Sequence, residues 1–292
     1  MVELRALGAI DLRRDGTEMA QVLAQPKRTA LLLFLNAAHP YGFHRRDRLA
    51  RMLWREMDES QSRDALTEAI NGIRRELGEN SILARGEEIM LDPVLIRSDV
   101  RVLESAVDNT DHMRVVQLYQ GTLADGFSLA DAPEFVEWLD EERLRIRNNV
   151  ATSAWVLAEK SKSDGRNDDA AAFARSAAAL MRDDEESVRR LMLFLGDSGD
   201  NIGALRAYDE FAIWLSSEKD TDPAPDTDAL RDKIRDGEPL HDVRVEPEQA
   251  QLPVQTAPSA KEQARQNPLW LPWAAVGVAA AALLLLAASI FA

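Results

Sequence analysis

Two glycines 34 residues apart, Gly165 and Gly199, belong to the pattern that most restricts how this chain folds. At the same offset Leu157 returns as Leu191, Asn167 as Asn201, Ala170 as Ala204 and Ala178 as Ala212. Matching alanines are cheap in an Ala-rich stretch. The Gly and Asn matches are not, because they fall where a turn needs residues that accept a left-handed backbone. A period of about 34 residues is that of a helix–turn–helix unit, which cannot bury its apolar face alone and must stack on its neighbours. The pattern is helical from about residue 111 onward. Asp131 and Pro133 open a long helix carrying Phe135, Trp138 and Leu139, and the acidic run Asp183–Glu186 marks a further helix start, where negative charge favours the helix dipole.

The first hundred residues read differently. Residues 2–24 alternate weakly as short strands, with Asp15-Gly16 as a hairpin turn. Pro26 opens a helix to about Ala38 with an apolar run Ala30–Leu35, and Pro40 and Gly42 end it. A second helix is expected over Arg45–Trp54 and a third over Ser62–Leu77, closed by Gly78. Residues 81–92 form a hairpin about Gly86, and Ser98-Asp99 caps the next helix. Strands, three helices and a hairpin are the element order of a winged helix.

The carboxyl-terminal end carries the other strong signal. After Arg265 there is no charged residue, and from Leu269 the run LWLPWAAVGVAAAALLLLAASIFA is long enough to cross a hydrocarbon core of about 30 Å. Trp270 and Trp273 stand where an interfacial aromatic belt belongs, and Pro272 lies in the first turn. Lys261 and Arg265 precede the run and nothing basic follows it. The expectation is a single-pass helix in the cytoplasmic membrane, with the amino-terminal bulk in the cytoplasm, the lipid bilayer as a partner and no extracytoplasmic sensor domain. Five prolines among Glu and Gln over residues 237–268 read as a flexible linker, with a reach of about 30 Å.

Charge narrows the function. Residues 1–105 hold 16 Lys/Arg against 17 Asp/Glu, and the remainder holds 19 against 33. The acidic remainder repels phosphate, so nucleic acid, if bound, meets the first 105 residues. There is no Cys, and none of the four His shares a helical face with another, which leaves no thiol chemistry and no evident metal set. No phosphate-binding glycine loop, nucleophile elbow or HExxH is present, so neither catalysis nor a cofactor is expected.

Particular residues sharpen the winged-helix reading. Pro26-Lys27 with Ala30-Leu31-Leu32, Arg46-Asp47-Arg48-Leu49 with Leu53-Trp54, and Ala65-Leu66 with Ile73-Arg74-Arg75-Glu76-Leu77-Gly78 resemble the OmpR-type DNA-binding domain of the Streptomyces antibiotic regulatory proteins. Downstream, Tyr119-Gln120-Gly121, Gly126-Phe127, Ala132-Pro133-Glu134-Phe135, Trp138-Leu139, Glu142-Arg143, Gly199-Asp200, Ala204-Leu205 and Ala207-Tyr208 resemble the bacterial transcriptional activator domain that follows it in that family. The resemblance covers about residues 1–236 and implies a regulator with a winged helix on double-stranded DNA and tetratricopeptide-like helices on a protein partner. A second copy of the chain is a further candidate partner. The expected fold class is mainly α with a small β part. It comprises an N-terminal winged helix (1–105), tetratricopeptide-like α-helical repeats (106–236), the linker (237–268) and one transmembrane helix (269–292).

The third helix is where the chemistry would lie. At 100° per residue, Leu66, Ile70, Ile73 and Leu77 share an arc of about 60°, which is the core face. The opposite face holds Asp64, Ala65, Glu68, Gly72 and Arg75, with Thr67 and Asn71 on its flank. In the family that face enters the major groove, and Arg is typical where Gly72 stands. Two carboxylates there are poor base readers beside phosphates. The candidate DNA contacts are Arg45, Arg46, Arg48, Arg63, Thr67, Asn71, Arg74, Arg75 and Arg85. These can hold the phosphate backbone without reading bases. The alternative function is a membrane-anchored scaffold that keeps the winged helix but no longer reads DNA, and the charge over the third helix and wing discriminates the two.

Overall fold

The computed structural model describes residues 1–240. The elements run β1 (Val2–Arg5), β2 (Asp11–Arg14), β3 (Thr17–Glu18), α1 (Ala20–Leu23), α2 (Pro26–Ala37), β4 (His44–Arg45), α3 (Arg46–Leu53), α4 (Glu59–Leu77), β5 (Ile82–Arg85), β6 (Glu88–Leu91) and β7 (Ile96–Ser98). Then come α5 (Asp99–Asp108), α6 (His112–Leu118), α7 (Pro133–Ser163), α8 (Asn167–Leu180), α9 (Glu185–Asp197), α10 (Asn201–Glu218) and α11 (Pro225–Asp236). The described chain is mainly helical with a small β part, as expected. Most of the linker (237–268) and all of the transmembrane segment (269–292) lie outside the described residues. Among the described residues no helix is long and apolar enough to cross a membrane.

Two small sheets bracket the first helices. One has the order β3-β2-β1-β7, with β1 antiparallel to β2 and parallel to β7. Asp15 and Gly16 make its turn at positive φ, 48° and 85°. The other has the order β4-β6-β5, so the β5–β6 hairpin gains a third strand from His44-Arg45. That pairing moves the start of the second helix to Arg46, whose N–H is held by the Glu87 carbonyl. Residues 20–23, read as strand, form a helical turn instead and bury Val22. In α2 every residue from Thr29 to Ala37 is buried, because the helix is enclosed by its neighbours on all sides.

The segment after α6 departs from the expected helical pattern. Residues 119–132 form an irregular loop, with Leu123 bridged to Leu7 and Ala124 at φ 49°. Arg143 of α7 holds this loop by donating to the carbonyls of Leu123, Ala124 and Phe127 at 2.8–3.0 Å. A guanidinium satisfying three carbonyls at once replaces the hydrogen bonds a helix would have made.

The interior forms two apolar clusters, one drawn from residues between Val2 and Val150, the other from residues between Ala154 and Ile234. The break between the two clusters falls inside α7. The first half of this 31-residue helix penetrates the amino-terminal core, where Trp138 lies 4.6 Å from Phe34 and 5.3 Å from Phe135 between ring centroids. Its second half packs on α8 as the first arm of the repeat. Gly165 and Gly199 both take left-handed φ, 74° and 81°, and Asn167 and Asn201 open α8 and α10. Ala170 and Ala204 are buried at matching places, which lets the paired helices approach closely.

Candidate nucleic-acid interface

The third helix, α4, is longer than expected. It starts at Glu59 behind a capping box in which the Asp58 side chain accepts from the Gln61 N–H at 2.9 Å and the Gln61 side chain accepts from the Asp58 N–H. Its buried face holds Leu66, Ile70, Ile73 and Leu77 as expected, and also Ser62, Ala69 and Gly72. The packing of α1 and α2 against one side accounts for the shift. The exposed row therefore contains Asp64, Thr67, Glu68, Asn71 and Arg75. Thr67 and Asn71 move from the flank into that row, whereas Gly72 leaves it.

Gly72 is covered by an arginine from another helix. A Cβ built on it would lie 2.5–2.8 Å from the Nη2, Cζ and Nε atoms of Arg28 on α2. Nothing in linear spacing signals this, because Arg28 stands 44 positions earlier in an apolar helix.

The nine candidate contacts divide by partner. Arg45 is bound to Asp47 through two hydrogen bonds of 2.9–3.0 Å, and that contact with the backbone N–H of Arg48 holds the Asp47 carboxyl down at about 2. Arg63 pairs with Glu59 at 2.8 Å along the exposed helix. Arg85 pairs with Glu88 at 2.7 Å and lies over the Phe43 ring at 4.3 Å. Arg74 is turned inward, donating to the Ile82 carbonyl at 2.7 Å, and ties α4 to the hairpin rather than facing outward. Arg46, Arg48 and Arg75 make no ion pair among the described residues, and Asn71 makes no side-chain hydrogen bond among them. Arg48 lies 5.9 Å over Phe34, and after burial its charge is the second cause that lowers the His44 pKa. Thr67 donates to the Arg63 carbonyl at 2.9 Å.

The resulting surface has one arginine-rich edge, in which Arg51 pairs with Asp47 and Arg55 with Glu134, each at 4.0 Å, and one mixed centre. Arg46, Arg48, Arg51 and Arg55 are on or just beyond α3, with Arg75 at the far end of α4. Asp64 and Glu68 occupy the middle, and Glu87 is exposed in the hairpin turn. Exposed pairs such as Arg63–Glu59 are worth little in water and can exchange partners with a phosphate. A cleft of about 410 Å³ opens between α3 and the start of α4, with Trp54 and Met57 in its wall and Arg51, Arg63, Asp47 and Glu134 among its lining residues.

The comparisons with known proteins bear on the helical half. Residues 97–235 match the family model of the bacterial transcriptional activator domain. The match begins within β7 and ends one residue before α11 does, so it takes in the whole repeat array, the loop at 119–132 and the Arg143 clamp. Among solved structures, Mycobacterium tuberculosis EmbR in complex with a low affinity phosphopeptide is similar, with a TM-score of 0.53 and 19% identity. The alignment covers 82% of this chain and 66% of that one, so this chain spans just under two thirds of the EmbR chain. That likeness is one of fold, and it extends beyond the activator-domain segment. No curated protein matches the chain in sequence.

Proposed function

We propose that the chain is a transcriptional regulator. In this reading residues 1–105 act as a winged helix on double-stranded DNA, the activator-domain segment binds a protein partner, and residues 269–292 hold the molecule at the cytoplasmic membrane with its domains in the cytoplasm. The match of residues 97–235 to the activator domain carries the reading. The three-helix and hairpin unit in front of it supports it, with Asn71 and Arg75 exposed along α4 beside the Arg46–Arg55 edge of α3. Such a surface grips the sugar–phosphate backbone and sets a register, and Asn71 is the side chain in the row able to form a bidentate contact with adenine. Tethering at the membrane would raise the local concentration only for DNA nearby.

A second reading, the membrane-anchored scaffold, is favoured by one observation. Asp64 and Glu68 lie in the middle of the exposed row, and the hairpin arginine is paired with Glu88. Hydrogen exchange of the full chain with and without a mixed-sequence duplex separates the two. The regulator reading expects protection concentrated in residues 45–91. Unchanged exchange there at saturating duplex contradicts it and leaves the scaffold.

A further inference from the structure

We infer that Arg28, on the first long helix, serves as a DNA-phosphate contact in place of a side chain that the third helix lacks; this rests on the reading that the exposed face of α4 meets DNA. Gly72 lies at the border of that face, three residues before Arg75 and four after Glu68, both of which are exposed neighbours on the helix surface. Its missing side chain leaves a gap, and the Arg28 guanidinium occupies it, with Nη2, Cζ and Nε 2.5–2.8 Å from where a Cβ would stand. The charge is thereby delivered beside Arg75 from a separate element, and two guanidinium groups border the row rather than one.

Three other half-buried arginines have fastening partners, whereas Arg28, like Arg147 on α7, has none among the described residues, and of these two only Arg28 borders the exposed row of α4. Arg74 donates to the Ile82 carbonyl, Arg101 to the Leu35 carbonyl and Arg143 to three carbonyls, so each fastens one segment to another. Arg28 makes no hydrogen bond and no ion pair among the described residues, and its Nε, like those of Arg74 and Arg101, is sealed from solvent without an acceptor. The fold therefore gains no polar contact from placing this group there, although sealing a cationic N–H away from water is unfavourable. The two Nη groups are not among the sealed atoms, so an external anion with geminal oxygens reaches them rather than the Nε. A guanidinium suits a phosphodiester, because its planar N–H groups donate to two oxygens at once.

The test is a duplex titration of the full chain in nonionic detergent, read by fluorescence anisotropy at 50 and 150 mM salt. Arg28→Ala is expected to bind about tenfold more weakly at the lower salt and to reduce the salt slope by about one phosphate contact. Gly72→Arg alone displaces Arg28 and supplies its own guanidinium, so its affinity stays near that of the wild type. Arg28→Ala/Gly72→Arg returns the group to the same place from the helix itself and is expected to recover binding to within about threefold. A merely structural arginine would not be rescued in this way. Wild-type affinity and slope in Arg28→Ala, while Arg75→Ala still weakens binding, overturn the inference and leave the DNA reading intact. A folded double variant that stays as weak as Arg28→Ala overturns it too. No binding by the wild type removes the DNA reading and this inference with it.

Discussion

Asp99 accepts the backbone N–H groups of Ala6 and Leu7 at 2.9–3.0 Å, and it opens α5. Burial raises its pKa even though these N–H groups, Leu7 first, favour the charged form. A carboxylate so placed closes the end of β1 onto a helix start. Asp99→Ala leaves two buried donors without acceptors and is expected to cost about 2–4 kcal/mol, measured by urea denaturation, with Asp99→Asn costing less. A change below about 0.5 kcal/mol would show that water replaces the carboxylate. In the sequence Asp99 was legible as half of a helix cap, but its second duty depends on a contact with a strand more than ninety positions away. The same limit applied to the candidate contacts. Arg74 and Arg75 are adjacent and chemically identical, yet only the fold turns one towards Ile82 and leaves the other exposed. The inward turn of Gly72 follows from α2 lying across that side of α4, which no helical projection of α4 alone contains.

At the scale of elements, local chemistry was the most readable. The Gly165 and Gly199 turns, the Asp15-Gly16 hairpin and the Pro26 and Pro133 helix starts all rest on backbone preferences of one or two residues, and all stand where expected. α4 starts three residues before the expected Ser62, because the apolar period begins only at Leu66 whereas the helix is nucleated by polar caps. Removing the cap with Asp58→Ala is expected to destabilise the chain by about 1 kcal/mol. Hydrogen exchange should then rise in residues 59–63 and hardly at all in residues 70–77, and uniform protection would contradict a local capping role. The loop at 119–132 has no local signal of this kind. Its hydrogen bonds go to Arg143 and to the β1–β2 connection, so its irregular course is a tertiary outcome rather than a local one.

On the scale of the whole molecule, the winged-helix element order sets a boundary at residue 105, and the apolar cluster that begins at Val2 runs on to Val150. One reason is visible in α7. Besides Trp138 on Phe34, Arg145 bridges Glu104 of α5 and Glu142 of its own helix, each at 2.7 Å. Burial acts to lower the Arg145 pKa, and Glu104 and Glu142 together outweigh it and raise it. Burial also lifts Glu142 above the usual 4.5 despite Arg145. Arg145→Met would leave two facing carboxylates buried, at an expected cost of about 3–5 kcal/mol at pH 8. With its folded pKa above the unfolded value, Glu142 takes up a proton first in the native state. The cost should therefore shrink as pH falls from 8 towards 5, and denaturation at both values checks the sign. A loss independent of pH would place the effect in packing alone. Trp138 on Phe34 joins the amino-terminal unit to the activator-domain segment, so a partner on the repeats and DNA on α4 would act on one body. The central claim is that this body binds DNA through its amino-terminal unit. Titration of the full chain with a mixed-sequence duplex at several salt concentrations tests it directly. The account predicts binding whose log K falls with log salt at about −0.9 per phosphate, with four or more contacts. No binding at about 10 µM protein in 50 mM salt would contradict it.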